Sequence, residues 1–513
     1  MKEIIKSKYK GYFFSGLLLT LLCAWFSTGF YHIDEHVQIL EFASWKMGST
    51  PGSGLPWEFH QQIRASLLPC IVYMLSKTLV FLGLYNPFTV TFLLRLFTGF
   101  ASWLITCLLC LSLSKNMKTE KGKKLFILMS LFLWFVPFLC VRFTVENISG
   151  ITFLYGAYIL LRALEKEKNA VRAYIAAGLL FGTSFFIRAP LIIAILAFVV
   201  WLLKIKKARW KNIFILLAVA FAAIVLNTAI DTWFYGEPVF TLGNFINLYV
   251  RHSTQGINGI GANPWWFYIE QFVLRISPPI SFFLLAVFIL GLYKNRKDPF
   301  VWVIIPFILI HSIIRHKELR FLFPVLFIFI YVSALGIDYL LTKNTYLKWH
   351  RYIYTVSLII IFPLLLFRTF YPANVSVNYY RYVYNNISGK NIPLYVMQNN
   401  NAPQVWNSLN PSLFLQQNTN DYSYILLNKN FYKNPDVTTV TLKNISELYT
   451  SLDSLKPDTA YYLYTSGGDF TAPLQGYKIT EVYSLSPTWL ANFMAMYCYD
   501  KAAGWKIYRL SKA

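Results

Sequence analysis

The stretch Tyr31-His32-Ile33-Asp34-Glu35-His36-Val37-Gln38-Ile39-Leu40-Glu41-Phe42 follows directly on the first long apolar run of the chain. It sets two adjacent carboxylates between two histidines at the point where a hydrophobic segment ends. Ionisable groups so close to lipid are costly and tend to mark function. The same residues would also serve as a polar cap on a helix end. The choice depends on whether the preceding run crosses a membrane and on what else emerges on the same side.

Of the 513 residues 56% are hydrophobic, 18% aromatic and only 14% charged, against about 25% charged in an ordinary soluble domain. This composition is that of a polytopic α-helical membrane protein. The net charge of +24 does not point to nucleic acid, because the basic residues lie in short connectors between apolar runs, where the positive-inside rule puts them in cytoplasmic loops. Cys23, Cys70, Cys107, Cys110 and Cys140 sit in or beside apolar segments and Cys498 stands alone, so no disulfide framework or metal-binding cysteine pattern follows.

Met1 to Lys10 holds four lysines, which keeps this end in the cytoplasm and sends the first run outward as a retained anchor. The Asp34 stretch is therefore external or lumenal. Two more runs, Ala65–Leu84 and Thr89–Leu113, precede a connector with five lysines, Lys115 to Lys124. If both crossed, that connector would be outside, against the charge rule. Pro69, Ser76 and Lys77 interrupt Ala65–Leu84, which is read as an amphipathic helix along the outer interface. The remaining basic connectors then all fall in the cytoplasm, and eleven crossings result. After Phe370 the chain turns rich in Tyr, Asn and Ser, with short β-type runs at Pro393–Met397, Tyr422–Leu427, Val437–Leu442, Ala460–Tyr464, Tyr477–Tyr483 and Trp505–Leu510. Helical signals fall at Ile445–Leu452 and Thr488–Met496. This predicts a transmembrane domain over 1–371 and a small outer α/β domain over 372–513, for which no chemistry is assigned.

Parity places further charges on the face of Asp34: Arg142 with Glu146, Arg188, the long loop from Tyr235 to about Ser277 with His252, and Arg315-His316-Lys317-Glu318-Leu319-Arg320. A shared anionic ligand explains cations that break the positive-inside trend, since Arg and Lys favour phosphate. Pairing of each with a neighbouring acid such as Glu146 or Glu318 is the other explanation. The connector between the seventh and eighth crossings, read from Asp231 onward, carries Asp231, Tyr235, Asn244, Trp265 and Trp266, residue types that stack on sugars and bond their hydroxyls. An aromatic belt at the membrane surface has the same composition.

His32-Ile33-Asp34-Glu35 with Gln38 and Glu41, then Arg64-Ala65-Ser66 and Pro69, resemble the first-loop signature of the glycosyltransferase family 22 mannosyltransferases. Asp231-Thr232-Trp233-Phe234-Tyr235-Gly236, Asn244-Phe245, Asn263-Pro264-Trp265-Trp266-Phe267-Tyr268 and His316-Lys317-Glu318-Leu319-Arg320-Phe321 are similar to that family's later motifs, in the same order. The resemblance runs from about Tyr31 to Pro324. Ile33 stands where proline is common, and the aromatic run before Arg64 is only partly kept, as Leu55-Pro56-Trp57-Glu58-Phe59.

The resemblance implies a GT-C fold and an inverting α-mannosyltransferase. It would move mannose from polyprenyl or dolichyl phosphate to a glycolipid or glycan acceptor at the outer or lumenal face. A bacterial inner membrane is favoured over the ER. Asp34 is the expected base, with Glu35 orienting it or binding the acceptor. His316, Lys317 and Arg320, then Arg64, Arg142, Arg188 and His252, are expected on the donor phosphate. His32, Gln38, Asp231, Tyr235, Asn244, Trp265, Trp266 and Glu318 are expected on sugar or acceptor. A lipid-phosphate donor has no pyrophosphate that demands a metal, so no cofactor is expected, although the Asp34-Glu35 pair has the chemistry to hold a cation. The alternatives are a GT-C transferase of another lipid-phosphate sugar and a lipid-linked sugar flippase or exporter. An exporter should line a path through both leaflets with charge.

Overall fold

The computed structural model describes residues 1–166, 170–255, 263–276, 280–343, 350–374, 376–386, 394–397, 439–442, 461–466, 477–484 and 505–512. The chain divides into one unit of Met1–Phe26, His32–Tyr85 and Phe92–Tyr371, and a second of Ser27–Tyr31, Asn86–Thr91 and Pro372–Ala513.

The apolar runs of the first unit are helices, which satisfy their backbone polar groups internally as lipid requires. Among the described residues Pro87–Asn116, Val145–Glu165, Trp210–Tyr235 and Leu319–Thr342 are long and apolar enough to cross a membrane, and shorter apolar helices accompany them. The chain is a multi-pass membrane protein. Lipid tails give no hydrophobic drive for helix association, so close packing at small residues carries it. Gly178 and Gly182, four apart on Ala170–Ile187, lie against the backbone of Leu216 and Ala220 on Trp210–Tyr235. Gly291 and Gly336 bring Ile280–Lys294 and Leu326–Thr342 together in the same way, each facing a carbonyl of the other helix. The Ala65–Leu84 run forms a helix at Leu67–Phe81 with two faces. Leu68, Cys70, Val72, Ser76 and Leu79 are buried, and Ile71, Met74, Val80 and Phe81 are exposed.

In the second unit Ala373 N and Asn374 N donate to the Thr28 carbonyl at 2.8 and 3.1 Å. Gly29, at φ +84°, is required there: a Cβ would lie 2.7 Å from Asn374 Cβ. Strands β1 Leu394–Met397, β2 Thr439–Leu442, β3 Tyr461–Ser466, β4 Tyr477–Ser484 and β5 Trp505–Lys512 form one sheet in the order β2-β1-β3-β5-β4. β1 pairs in parallel with β2 and β3, and β5 pairs antiparallel with β3 and β4. These strands overlap five of the six β-type runs. The run at Tyr422–Leu427 and the helical signals at Ile445–Leu452 and Thr488–Met496 lie outside the described residues.

Candidate active site in the charged loops

Asp34 leads into a π-helical turn, Glu35–Leu40, that continues as an α-helix over Glu41–Lys46. In a π turn residue i+5, rather than i+4, closes the ring. Glu41 N accordingly bonds the His36 carbonyl, and the two side chains meet, with His36 Nε2 2.8 Å from Glu41 Oε1. Thr50 Oγ1 donates to Glu41 Oε2 at 2.8 Å. This buried pair anchors the turn, and Asp34 and Glu35 then face different cations. Asp34 Oδ2 is 2.7 Å from Arg320 Nη1, while Glu35 Oε1 is 3.8 Å from Arg142 Nη1. The adjacent carboxylates are thus each set against a separate arginine.

Arg320 is the centre of the cluster. Its Nε and Nη2 reach Glu318 Oε2 and Oε1 at 2.6 and 3.1 Å, and its Nη1 also lies 3.7 Å from Glu146 Oε1. Glu318 is further met by His316 Nε2 at 3.0 Å and His32 Nε2 at 3.2 Å. Gly150, one turn beyond Glu146, allows this meeting: a Cβ there would lie 2.7 Å from Pro324 Cα. The Leu319–Val325 turn can thus lie flat on the Val145–Lys166 helix. Glu146 Oε1 also receives Arg188 Nη1 at 2.8 Å, and the Arg188 guanidinium sits 4.9 Å from the centre of the Phe321 ring. At the edge of the group Glu58 Oε1 accepts from Gln38 Nε2 at 3.2 Å and faces Arg64 Nη2 at 3.6 Å.

The cations differ in what remains open. All three nitrogens of the Arg320 guanidinium are engaged by carboxylates. The Nε–H groups of Arg64 and Arg188, and Nδ1 of His316, are buried with no hydrogen-bond partner among the described residues. Of the residues expected on the donor phosphate, Arg320 meets carboxylates at every nitrogen, whereas Arg64 and Arg188 each keep one buried N–H without a partner among the described residues. Lys317 departs further, since its Nζ donates to the Asn263 carbonyl at 2.8 Å and meets none of the cluster's carboxylates. The side chain of His252 lies outside the described residues.

Three of the residues expected on sugar or acceptor bond the segment around Arg64. Tyr235 Oη donates to the Arg64 carbonyl at 2.9 Å, and Asn244 Nδ2 to the Gln62 carbonyl at 3.2 Å. Asp231 is buried and accepts from Ser66 N at 2.7 Å, Ser66 Oγ at 2.6 Å and Thr241 Oγ1 at 2.5 Å. All three fix residues 62–66, which present Arg64. Gln62 itself takes φ +50°, a left-handed conformation that non-glycine residues adopt at a cost, and its side chain bonds Glu237. Trp265 and Trp266 are 66% and 49% exposed with rings at 89° to each other, free of the cluster. Glu58 was quoted in the sequence only within an aromatic run. The signal available was its position six residues before Arg64 in one loop.

Electrostatics separates the carboxylates. Burial raises Asp34, but the charge of Arg320, reinforced by His32 and Arg64, outweighs it and holds the group below the usual carboxylate range. Burial of Glu318 is likewise outweighed, by hydrogen bonds from His316 and His32 and by Arg320. Glu58 goes the other way: burial and the nearby Asp34 charge lift it, and Arg64 offsets only part.

Over 98% of both chains the structure superposes on the crystal structure of ArnT from Cupriavidus metallidurans bound to undecaprenyl phosphate, with a TM-score of 0.52 and 11% identity. The fold is that of the GT-C transferases. The Alg9-like mannosyltransferase family matches residues 12–393, and the chain belongs to it. Its relatives include GPI mannosyltransferase 3 of Yarrowia lipolytica, 30% identical over 58% of this chain and 56% of the relative. GPI mannosyltransferase 3 of Candida albicans is 27% identical over 65% of each. GPI alpha-1,2-mannosyltransferase 3 of Bos taurus is 24% identical over 57% of this chain and 52% of the relative. The matched region spans less than two thirds of the length of these relatives.

Proposed function

We propose that this protein is an inverting α-mannosyltransferase that takes mannose from a polyprenyl or dolichyl phosphate and transfers it to a hydroxyl of a glycolipid or lipid-linked glycan. The observation that carries the reading is the convergence of Arg64 and Arg188, each with an open buried donor, on a group of carboxylates next to membrane-spanning helices. Family membership and the undecaprenyl phosphate held by ArnT support the lipid-phosphate donor.

In a single displacement the acceptor oxygen attacks the anomeric carbon as the bond to phosphate breaks. The leaving phosphate gains charge, and pre-placed cations stabilise it without reorganisation. Arg64 and Arg188 supply that charge, so the reading assigns no task to a divalent cation. A carboxylate takes the acceptor proton. In this reading the N terminus is cytoplasmic, the chain crosses eleven times, and the cluster and residues 372–513 face the periplasm or lumen.

The test is transfer by purified protein from labelled mannosyl-phosphopolyprenol to a membrane glycolipid extract, in buffer containing EDTA. Wild type labels the lipid fraction with inverted configuration. Arg188→Gln loses about 10²-fold or more, the scale of one removed transition-state donor, with most of the loss in kcat. Absence of transfer by wild type to every lipid acceptor, or equal transfer by Arg188→Gln, overturns the reading.

A further inference from the structure

We propose that Arg368 is a further anion site, which takes the phosphate headgroup of a membrane lipid at the seam between its own helix and Val136–Cys140. The proposal concerns binding and does not depend on the transferase reading above.

Arg368 is the one charged residue between Tyr352 and Phe370 and lies in the last turn of the His350–Phe370 helix. Arg64, Arg142, Arg188 and Arg320 each face a carboxylate. Arg368 faces none among the described residues, and none of them accepts a hydrogen bond from it. Its guanidinium carbon instead lies 5.7 Å from the centre of the Trp134 ring, 5.1 Å from that of Phe138 and 6.0 Å from that of Phe367. Aromatic faces attract a cation, and so does the C-terminal end of a helix. Both hold the charge in place without using an N–H group. The donors stay open in the guanidinium plane, in the fork that fits phosphate oxygens.

Two neighbours point to an anion there. Phe138 carries the Arg142 guanidinium at 4.9 Å as well as that of Arg368 at 5.1 Å. Arg142 is offset by Glu35 at 3.8 Å, and no such charge answers Arg368, so positive charge is in excess around this ring. Trp134 Nε1 is buried with no hydrogen-bond partner among the described residues, and a buried donor left so costs free energy until something accepts from it. A phosphate held by Arg368 beside the Trp134 ring would offset the charge and accept from the indole. Position makes a lipid the source. Phe362, Leu366 and Phe370 of the same helix are 58%, 41% and 49% exposed, so this helix borders lipid, and Arg368 is itself partly exposed. Arginine buries its stem along apolar surface and keeps its head at the level of the headgroups, where basic pockets between helices bind lipid phosphates.

The experiment uses the purified full-length protein in detergent and reads the rise in unfolding midpoint as dioleoyl phosphatidylglycerol, undecaprenyl phosphate or inorganic phosphate is titrated in. At least one of the two lipids should stabilise the wild type at concentrations where inorganic phosphate does not. Arg368→Gln should weaken that lipid about tenfold or more, the scale of one hydrogen bond to a charged group. Trp134→Phe, which keeps a ring and drops the N–H, should weaken it to a lesser extent. Arg296→Gln, at an arginine stacked on Tyr293, controls for general loss of charge and should leave the titration unchanged. A phosphatidylglycerol response lost in Arg368→Gln makes the ligand an ordinary anionic phospholipid. A response to undecaprenyl phosphate alone, lost in Arg368→Gln and kept in Arg188→Gln, makes it a polyprenyl phosphate. Lipid affinity unchanged in Arg368→Gln, or reduced equally in Arg296→Gln, overturns the proposal, as does inorganic phosphate acting as well as either lipid. Should Arg368→Gln fail to elute as a folded monodisperse species, Arg368→Lys decides. It keeps the charge but not the fork, and undiminished lipid affinity in it overturns the assignment.

Discussion

Arg320→Gln removes a guanidinium that three carboxylates share. In the wild type it meets Glu318 at 2.6 and 3.1 Å, Asp34 at 2.7 Å and Glu146 at 3.7 Å. Removing one partner of a buried ion pair costs about 3–5 kcal/mol, because the charge left behind is neither paired nor hydrated. Glu146 is 2% exposed and bears that penalty, though Arg188 still pairs with it. Asp34 and Glu318, at 20% and 22% exposure, recover part of it through solvent. The expected loss is therefore near the lower end, about 3 kcal/mol, or a few degrees in the unfolding midpoint of a chain this long. Arg320→Lys keeps one charge but cannot fork across three carboxylates, and should lose roughly half as much.

The pH dependence is the sharper signature. In the wild type Arg320 holds Asp34 and Glu318 below the usual carboxylate range. Their contribution to stability is present above the unfolded-state values and is lost only as pH falls through the lower folded-state values. In Arg320→Gln burial acts with less opposition, so these carboxyls rise, and any that exceed their unfolded values make stability increase as pH falls. The gap between variant and wild type should narrow as pH is lowered from about 7.5 to about 5.5. The assay is tryptophan-monitored thermal unfolding of detergent-purified protein, with mannosyl transfer measured in parallel. A variant that melts within about 1 °C of wild type at both pH values would falsify the hub role of Arg320.

Two further substitutions test how the frame is held. Gly150→Ala places a Cβ 2.7 Å from the Pro324 backbone, which cannot yield as a side chain can. It should separate Arg320 from Glu146, lower the melting midpoint and cost at least about tenfold in transfer, in the range of about 1–3 kcal/mol for overpacking; unchanged transfer would show that the approach is not needed. Asp231→Ala removes three hydrogen bonds from residues 66 and 241. It should destabilise by about 3 kcal/mol, given about 1.5–3 for a bond to a charged group, and should reduce transfer in the same direction as Arg64→Gln. If Asp231→Ala instead raised the KM for acceptor alone, with stability intact, Asp231 would be a sugar ligand after all.

The helices were legible because period and length of apolar runs survive any tertiary arrangement, as Ala170–Ile187 and Trp210–Tyr235 show. The charged residues of the site were legible as a set, since membrane loops rarely carry Arg142, Arg188 and the 315–320 group without cause. What the sequence could not order was the pairing. Asp34 and Arg320 are far apart in the chain, and Glu146 had been weighed only as a local partner. Tyr235, Asn244 and Asp231 carry groups that bond sugar hydroxyls and backbone amides or carbonyls alike, so their bonds to residues 62–66 were not legible in the sequence. Only the positions of residues 62–66 separate the two uses. The π turn was hidden as well: residues five apart, His36 and Glu41, meet in it, whereas an amphipathic pattern counts three and four.

Pairing of the loop cations with neighbouring acids and their use on a shared anion are compatible explanations. Arginines buried without partners would cost several kcal/mol each, so a site that waits for an anion needs internal carboxylates to hold its cations in place. A guanidinium has five N–H donors, and one carboxylate takes at most two in a fork. Arg320 meets acids through all three of its nitrogens. Arg188, meeting Glu146 through Nη1, and Arg64, 3.6 Å from Glu58, are neutralised without being used up. Internal pairing thus offsets the burial of these arginines, while the Nε–H groups of Arg64 and Arg188 keep no hydrogen-bond partner among the described residues. The acids differ in the same way: Glu318 meets Arg320 through both oxygens, whereas Glu146 and Glu58 meet their arginines through one.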